Sequence, residues 1–298
     1  MDSLLPVDGP PATGWLASRP AALDPSLWAE TRPTDQTLVA LALPRGQAVH
    51  GLDGQLLGWE SGQDTDCDLG ELWLSCARRF PDTGLWPIVD SRFGLHPGRH
   101  WHDLTTDDGR PYWRDPYAVP SDVYDAVNCA DRADYHHDFD ADDESEPLDQ
   151  LLQDLGLPVA DTTLAEASTF PDDPLARLVA PKVWKSLTLV ACRRPADSLL
   201  VLDFGVPNDN ATPGIFTGVL RSWETRFGVV PVMLDLCYTS FQVLAPPIAD
   251  RQVDRLATEV FAFAIDTAMQ GGFYREFGDR DVGAPEMVRS REWLIWWD

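Results

Sequence analysis

Residues 212–228, TPGIFTGVLRSWETRFG, read as a helix with a start and a stop both written into the sequence. Thr212 supplies a capping hydroxyl, Pro213 sits in the first turn where its missing N–H costs nothing, and Gly228 terminates the run. Phe216, Leu220, Trp223 and Phe227 recur at helical spacing and define one apolar face. Such a face needs a sheet to cover it, and the flanking segments supply strands: LTLVACR (187–193) and LLVLDFG (199–205) before, VVPVMLDL and TSFQVLAP after. RQVDRLATEVFAFAIDTAM is a second helix with Val253, Leu256, Val260 and Ala264 inward, stopped by Gly271-Gly272, and REWLIWWD suits a terminal strand. The order β-β-α-β-β-α-β predicts an α+β class for residues 181–298, a two-layer sandwich of mixed sheet with helices on one face.

The rest of the chain is less regular. Residues 1–35, rich in Pro, Ala and Asp, form an irregular lead-in, and 36–130 carry the signals of a smaller α+β N-terminal domain. There TLVALAL and QLLGWE, split by GLDG, predict a hairpin-like pair. DLGELWLSCARRF places Leu69, Leu72, Trp73, Cys76 and Phe80 on one helical face behind an Asp68–Glu71 capping box, and GLWPIVD follows as a buried strand. Residues 94–120 are loop-like, and SDVYDAV predicts a helix capped by Ser121. Residues 131–180 form an acidic, Pro-punctuated connector containing a short helix, PLDQLLQDLG, and are the expected domain boundary. No internal repeat is evident.

Charge is the dominant global property. The formal net charge is -25, with Asp and Glu numbering 48 against 23 Lys and Arg, and only Lys182 and Lys185 are lysines. Coding bias toward Arg, Ala, Asp and Pro accounts for such a balance as readily as a selected acidic surface. Either way the field repels phosphate backbones and anionic headgroups, so neither nucleic acid nor membrane is an expected partner. It accelerates encounter with a basic protein. The N-terminal residues lack a basic stretch followed by an apolar one, so no signal peptide is expected. Five scattered cysteines without a C-x-x-C motif suit free thiols in a cytoplasmic setting.

The segment Arg221-Ser222-Trp223-Glu224-Thr225-Arg226-Phe227-Gly228, with Ala245-Pro246-Pro247 and the closing Trp293-x-x-Trp296-Trp297-Asp298, resembles domain of unknown function 4253, a bacterial family common in actinobacteria. The resemblance spans about residues 180–298, and TGLWPIV (83–89) resembles what precedes that domain in longer members. It implies a domain boundary and a fold but no reaction.

Candidate chemistry is sparse. Asp138, Asp140 and Asp142 alternate as in a calcium loop, but Asp143 stands where the sharp turn needs Gly and Ser145 where an apolar residue belongs. Asp138, Asp140, Asp142, Asp143, Glu144 and Glu146 therefore read as an acidic docking segment or a solvated connector. His96, His100 and His102, with His136 and His137, supply imidazoles of the type that hold zinc or iron, although Pro97 and Gly98 keep the first cluster off a helix face. Hydrogen-bonded surface histidines are the plainer expectation for them. No nucleophile-elbow, phosphate-loop or zincin motif is present.

Trp223, Arg226, Trp293, Trp296, Trp297 and Asp298 form an aromatic and charged set of the kind that anchors interfaces. Alternation along a strand sends Trp293, Ile295 and Trp297 to one side and Leu294 and Trp296 to the other, so core packing claims at least one set. Arg221 and Glu224 read as a surface helical ion pair. The leading expectation is a non-catalytic, cofactor-free acidic protein-binding module with a basic partner protein, of the immunity or antitoxin type by analogy with other acidic bacterial inhibitors. The alternatives are a divalent-metal-dependent hydrolase built on His96, His100 and His102, and a scaffold component docking through its terminal strand.

Overall fold

The computed structural model describes residues 28–51, 54–62, 67–91, 93–95, 165–183, 185–205, 213–264, 267 and 284–297. Seven strands within them pair into one mixed sheet. These are β1 (Gly46–His50), β2 (Leu56–Ser61), β3 (Leu85–Val89), β4 (Leu187–Ala191), β5 (Val229–Leu234), β6 (Tyr238–Val243) and β7 (Glu292–Trp296), in the spatial order β1-β2-β4-β3-β5-β6-β7. Neighbours run antiparallel except β3 and β5, which are parallel. The helices are α1 (Asp35–Leu41), α2 (Leu69–Arg78), α3 (Phe80–Thr83), α4 (Ser198–Val201), α5 (Pro213–Phe227), α6 (Asp250–Phe263) and α7 (Ala284–Arg289). The class is α+β. Strands from either side of residues 131–180 share one sheet rather than forming two, with β4 inserted between β2 and β3.

Two of the local signals act where the sequence puts them, while Ser121, Thr212 and Gly271-Gly272 lie outside the described residues. Asp68 caps α2, its carboxylate accepting from the backbone N–H of Gly70 at 2.9 Å and of Glu71 at 3.1 Å. Gly228 follows α5 in the left-handed region at φ 65, and its N–H closes on the Glu224 carbonyl at 2.8 Å. Three expectations are corrected. Helix α6 ends at Phe263 with Ala264 as its C-cap, well before the expected stop at Gly271-Gly272. TLVAL lies on α1, not on a strand, because Thr34 and Thr37 cap each other and Leu38 and Leu41 turn inward one helical turn apart; the hairpin partner of β2 is GQAVH. LLVLDFG is not a strand: the 3₁₀ turn Pro195–Asp197 leads into α4, and the Ser198 hydroxyl donates to the Pro195 carbonyl at 2.7 Å. A wholly apolar run has no period, so a buried helical turn and a buried strand look alike in it.

All residues of β3 and β4 are buried, so the middle of the sheet is covered on both sides. Trp73 of α2 and Phe80 of α3 meet Trp86 edge-on, at 5.9 and 5.3 Å between ring centres. At the far end α5 and α6 cover β7 and the residue that follows it: Trp223 packs on Trp293 at 5.8 Å, and Phe216 and Phe263 on Trp297 at 5.3 and 5.8 Å. Each such ring contributes about 1.5–3 kcal/mol of burial.

The β3–β5 seam is unusual because proline stands on both sides, Pro87 in β3 and Pro231 in β5. Neither has an N–H to give to a ladder, and the seam keeps a single registered pair, Val89 with Met233. Indoles take over: Trp73 Nε1 donates to the Pro87 carbonyl and Trp86 Nε1 to the Pro231 carbonyl, each at 2.8 Å. The two tryptophans thus satisfy buried acceptors that a regular ladder would have used.

Candidate functional site

Helix α5 turns charged residues as well as its aromatic stripe into the protein. Glu224 is fully buried; its carboxylate accepts from Arg194 Nε at 2.7 Å and from the Ala196 backbone N–H at 3.2 Å. Arg221, also buried, pairs through Nε with Asp197 at 2.7 Å. Arg226 forks onto Glu259 of α6, with contacts of 2.9 and 2.6 Å, and also donates to the Ser222 hydroxyl and the Ala165 carbonyl. Glu259 in turn accepts from the Ala165 N–H at 2.8 Å and from Trp223 Nε1 at 3.2 Å. The expected surface pair of Arg221 with Glu224 is therefore corrected. Each residue reaches a different partner, because Asp197 and Arg194 come from the turn preceding α4 and bring opposite charge into the core.

These three pairs act as rivets between α5 and its neighbours. Their oxygens and guanidinium nitrogens bond one another, neighbouring side chains such as Ser222, Trp223 and Thr225, and backbone groups. Burial raises the Glu224 carboxyl above the usual carboxylate range, Arg194 opposes the shift and the nearby Asp197 charge adds to it. Burial also pushes the Cys76 thiol up to about 12 and raises Cys192 well above its ordinary value, so both are held as inert thiols.

A concave feature among the described residues lies elsewhere, where β6 ends and β7 begins. A cleft of about 290 Å³ is lined by Arg177, Val179, Gln242, Val243, Leu244, Ser290, Arg291 and Glu292. Gln242 bridges it to the segment just after the 3₁₀ turn Leu175–Arg177, its side-chain amide accepting from the Val179 N–H at 3.0 Å and donating to the Val179 carbonyl at 2.8 Å. Arg291 donates to the Arg177 carbonyl, and Arg177 to that of Leu244 at 3.5 Å.

Of the residues singled out from sequence, Trp223, Arg226, Trp293 and Trp297 are core residues with no face for a partner. Trp296 is half-buried on the edge strand β7. Its backbone N–H and carbonyl both bond the Thr267 hydroxyl, at 2.8 and 2.7 Å, and the Glu292 N–H bonds the Ser290 hydroxyl at 3.1 Å. The edge expected to dock a partner strand is thereby capped near both ends. Asp138, Asp140, Asp142, Asp143, Glu144, Glu146, Asp298 and the histidines 96, 100, 102, 136 and 137 lie outside the described residues, as do the helices expected at SDVYDAV and PLDQLLQDLG. Among the described residues no group of His, Cys, Asp and Glu is arranged to hold a metal ion.

Sequence reasoning missed the buried pairs and the cleft. A signal for the first exists: at about 100° per residue, Glu224 and Arg226 fall on opposite flanks of the apolar stripe, close enough to be buried if the helix is covered broadly. For the cleft there was none, since Arg177 and Arg291 are far apart in the chain.

Residues 186–298 match the family described as Domain of unknown function (DUF4253), in agreement with the resemblance read from sequence. No curated protein and no solved structure matches the chain. The matched stretch supplies β4, β5, β6 and β7, yet β3, from residues 85–89, stands between its first two strands.

Proposed function

We propose that this chain is a non-catalytic binding protein that offers acidic surface to a basic partner protein, in the manner of an immunity or antitoxin inhibitor. The observation that carries the proposal is the charge distribution: a net -25, with ten acids against the single Arg132 between Asp131 and Asp154. The three buried ion pairs each cancel internally, so this excess is borne by the remainder of the chain. A field of this sign raises the on-rate for a cationic partner and weakens with salt. The inert thiols and closed ion pairs favour binding over chemistry for the described core. Free Cys67, Cys76, Cys192 and Cys237 suit a reducing cytoplasm, and no described helix is long and apolar enough to cross a membrane.

The experiment is capture on the tagged full chain at low salt, identification of the retained protein, and rebinding with purified components. The partner is expected to be basic and to dissociate as salt rises. Replacing Asp138, Asp140, Asp142, Asp143, Glu144 and Glu146 by their amides should weaken it, and chelator should leave it unchanged. A partner indifferent to both salt and the amide replacements would refute the reading.

A further inference from the structure

We propose that the cleft between the Leu175–Arg177 turn and the β6–β7 edge binds a small ligand through a carboxylate or phosphate group, with Arg177 and Arg291 as the recognition pair. Two exposed guanidinium groups lining one cleft give it a local positive field that attracts an anion. In this protein acids outnumber basic residues by 48 to 23, so a carboxylate partner is the abundant choice. Among the described residues neither arginine takes one. The hydrogen bonds of Arg177 and Arg291 go to the backbone carbonyls of Leu244 and Arg177, which orient the side chains without neutralising them. That differs from Arg194, Arg221 and Arg226, each of which has its own acid.

The cleft is also braced. The reciprocal amide bonds of Gln242 hold residue 179 against β6 in the way a backbone ladder would, fixing the turn that carries Arg177 relative to β7. Its volume of about 290 Å³ suits a small molecule. Forked guanidinium donors match the spacing of carboxylate and phosphate oxygens. Glu292, opposite Gln242 in the strand register, sets a negative charge on the wall. Its charge works against the two arginines and weakens the hold on an anion.

Titration calorimetry on the full chain tests this, with inorganic phosphate in one arm and succinate in the other, at an ionic strength fixed with chloride. Saturable binding of at least one anion is expected. Arg177→Gln and Arg291→Gln should each weaken it about tenfold or more, Glu292→Gln should tighten it, and Arg45→Gln, at an exposed arginine away from the cleft, should change nothing. Preference between the arms identifies the phosphate or the carboxylate as the recognised group. Because both cleft arginines are exposed, their variants should retain the wild-type circular dichroism. No saturable heat with either anion, or equal affinity in the Arg177, Arg291 and Arg45 variants, overturns the proposal. The amide replacements at 138–146 should leave phosphate binding intact, which separates this site from the docking function.

Discussion

The Arg226 guanidinium and the Glu259 carboxylate meet in a two-pronged contact of 2.9 and 2.6 Å, locking α5 to α6 inside the core. Removing one partner strands a charge away from water. Glu259→Gln is therefore expected to cost about 3–5 kcal/mol in urea unfolding. The double replacement Arg226→Met with Glu259→Leu should be less damaging than Glu259→Gln alone, since it removes both charges. A single-variant loss below about 1 kcal/mol would show that water reaches the pair.

Glu224 makes a statement about pH. Its folded carboxyl titrates above the unfolded value of 4.5, chiefly through burial. A raised pKa means that the folded state holds the proton more tightly. Its stabilising contribution is complete below the unfolded value and is lost as pH rises through the folded one. The stability difference between wild type and Glu224→Gln should therefore shift in favour of wild type as pH falls from neutrality toward 4.5. A pH-independent difference in parallel urea titrations would contradict the assignment.

At the proline seam, Trp86→Phe keeps the ring packing on Trp73 and Phe80 but withdraws the donor that satisfies the Pro231 carbonyl. The expected loss is about 1–3 kcal/mol from the unsatisfied buried acceptor. Trp73→Phe should cost a similar amount through Pro87. Chemical denaturation of the two variants measures both, and an unchanged midpoint would mean that the indole bonds are dispensable.

The sheet order makes a prediction about the family-matched stretch. A fragment of residues 186–298 contains β4 and β5 but not the β3 that separates them. It should show no cooperative thermal transition, because β4 loses both of its sheet neighbours and β5 loses one. A fragment that melts cooperatively with native-like circular dichroism would show that β4 and β5 can close on each other.

Short-range signals account for what was readable in advance. Asp68, Pro213 and Gly228 mark helix ends through backbone geometry, and the stripes on α2, α5 and α6 set which way those helices face. These effects act within a few residues. The misread segments are those where the local signal is degenerate, as in LLVLDFG, or where a cap outweighs strand-like composition, as in TLVAL. The polar core of α5 was hidden for another reason: a charged side chain reads as exposed until the residue that neutralises it is found, and Asp197, Arg194 and Glu259 lie on other elements.

By itself, then, the sequence determined the α+β class, the main helices with the start of α2 and the ends of α5, most hydrophobic strands and the large acidic excess. Only the tertiary structure decided that β3 sits between β4 and β5, that Arg226 has a counter-ion in the core, and that Arg177 and Arg291 line one cleft with none among the described residues. Strand pairing and charge pairing join residues far apart in the chain. Their free energy depends on which distant groups leave water together, and no local pattern records that choice.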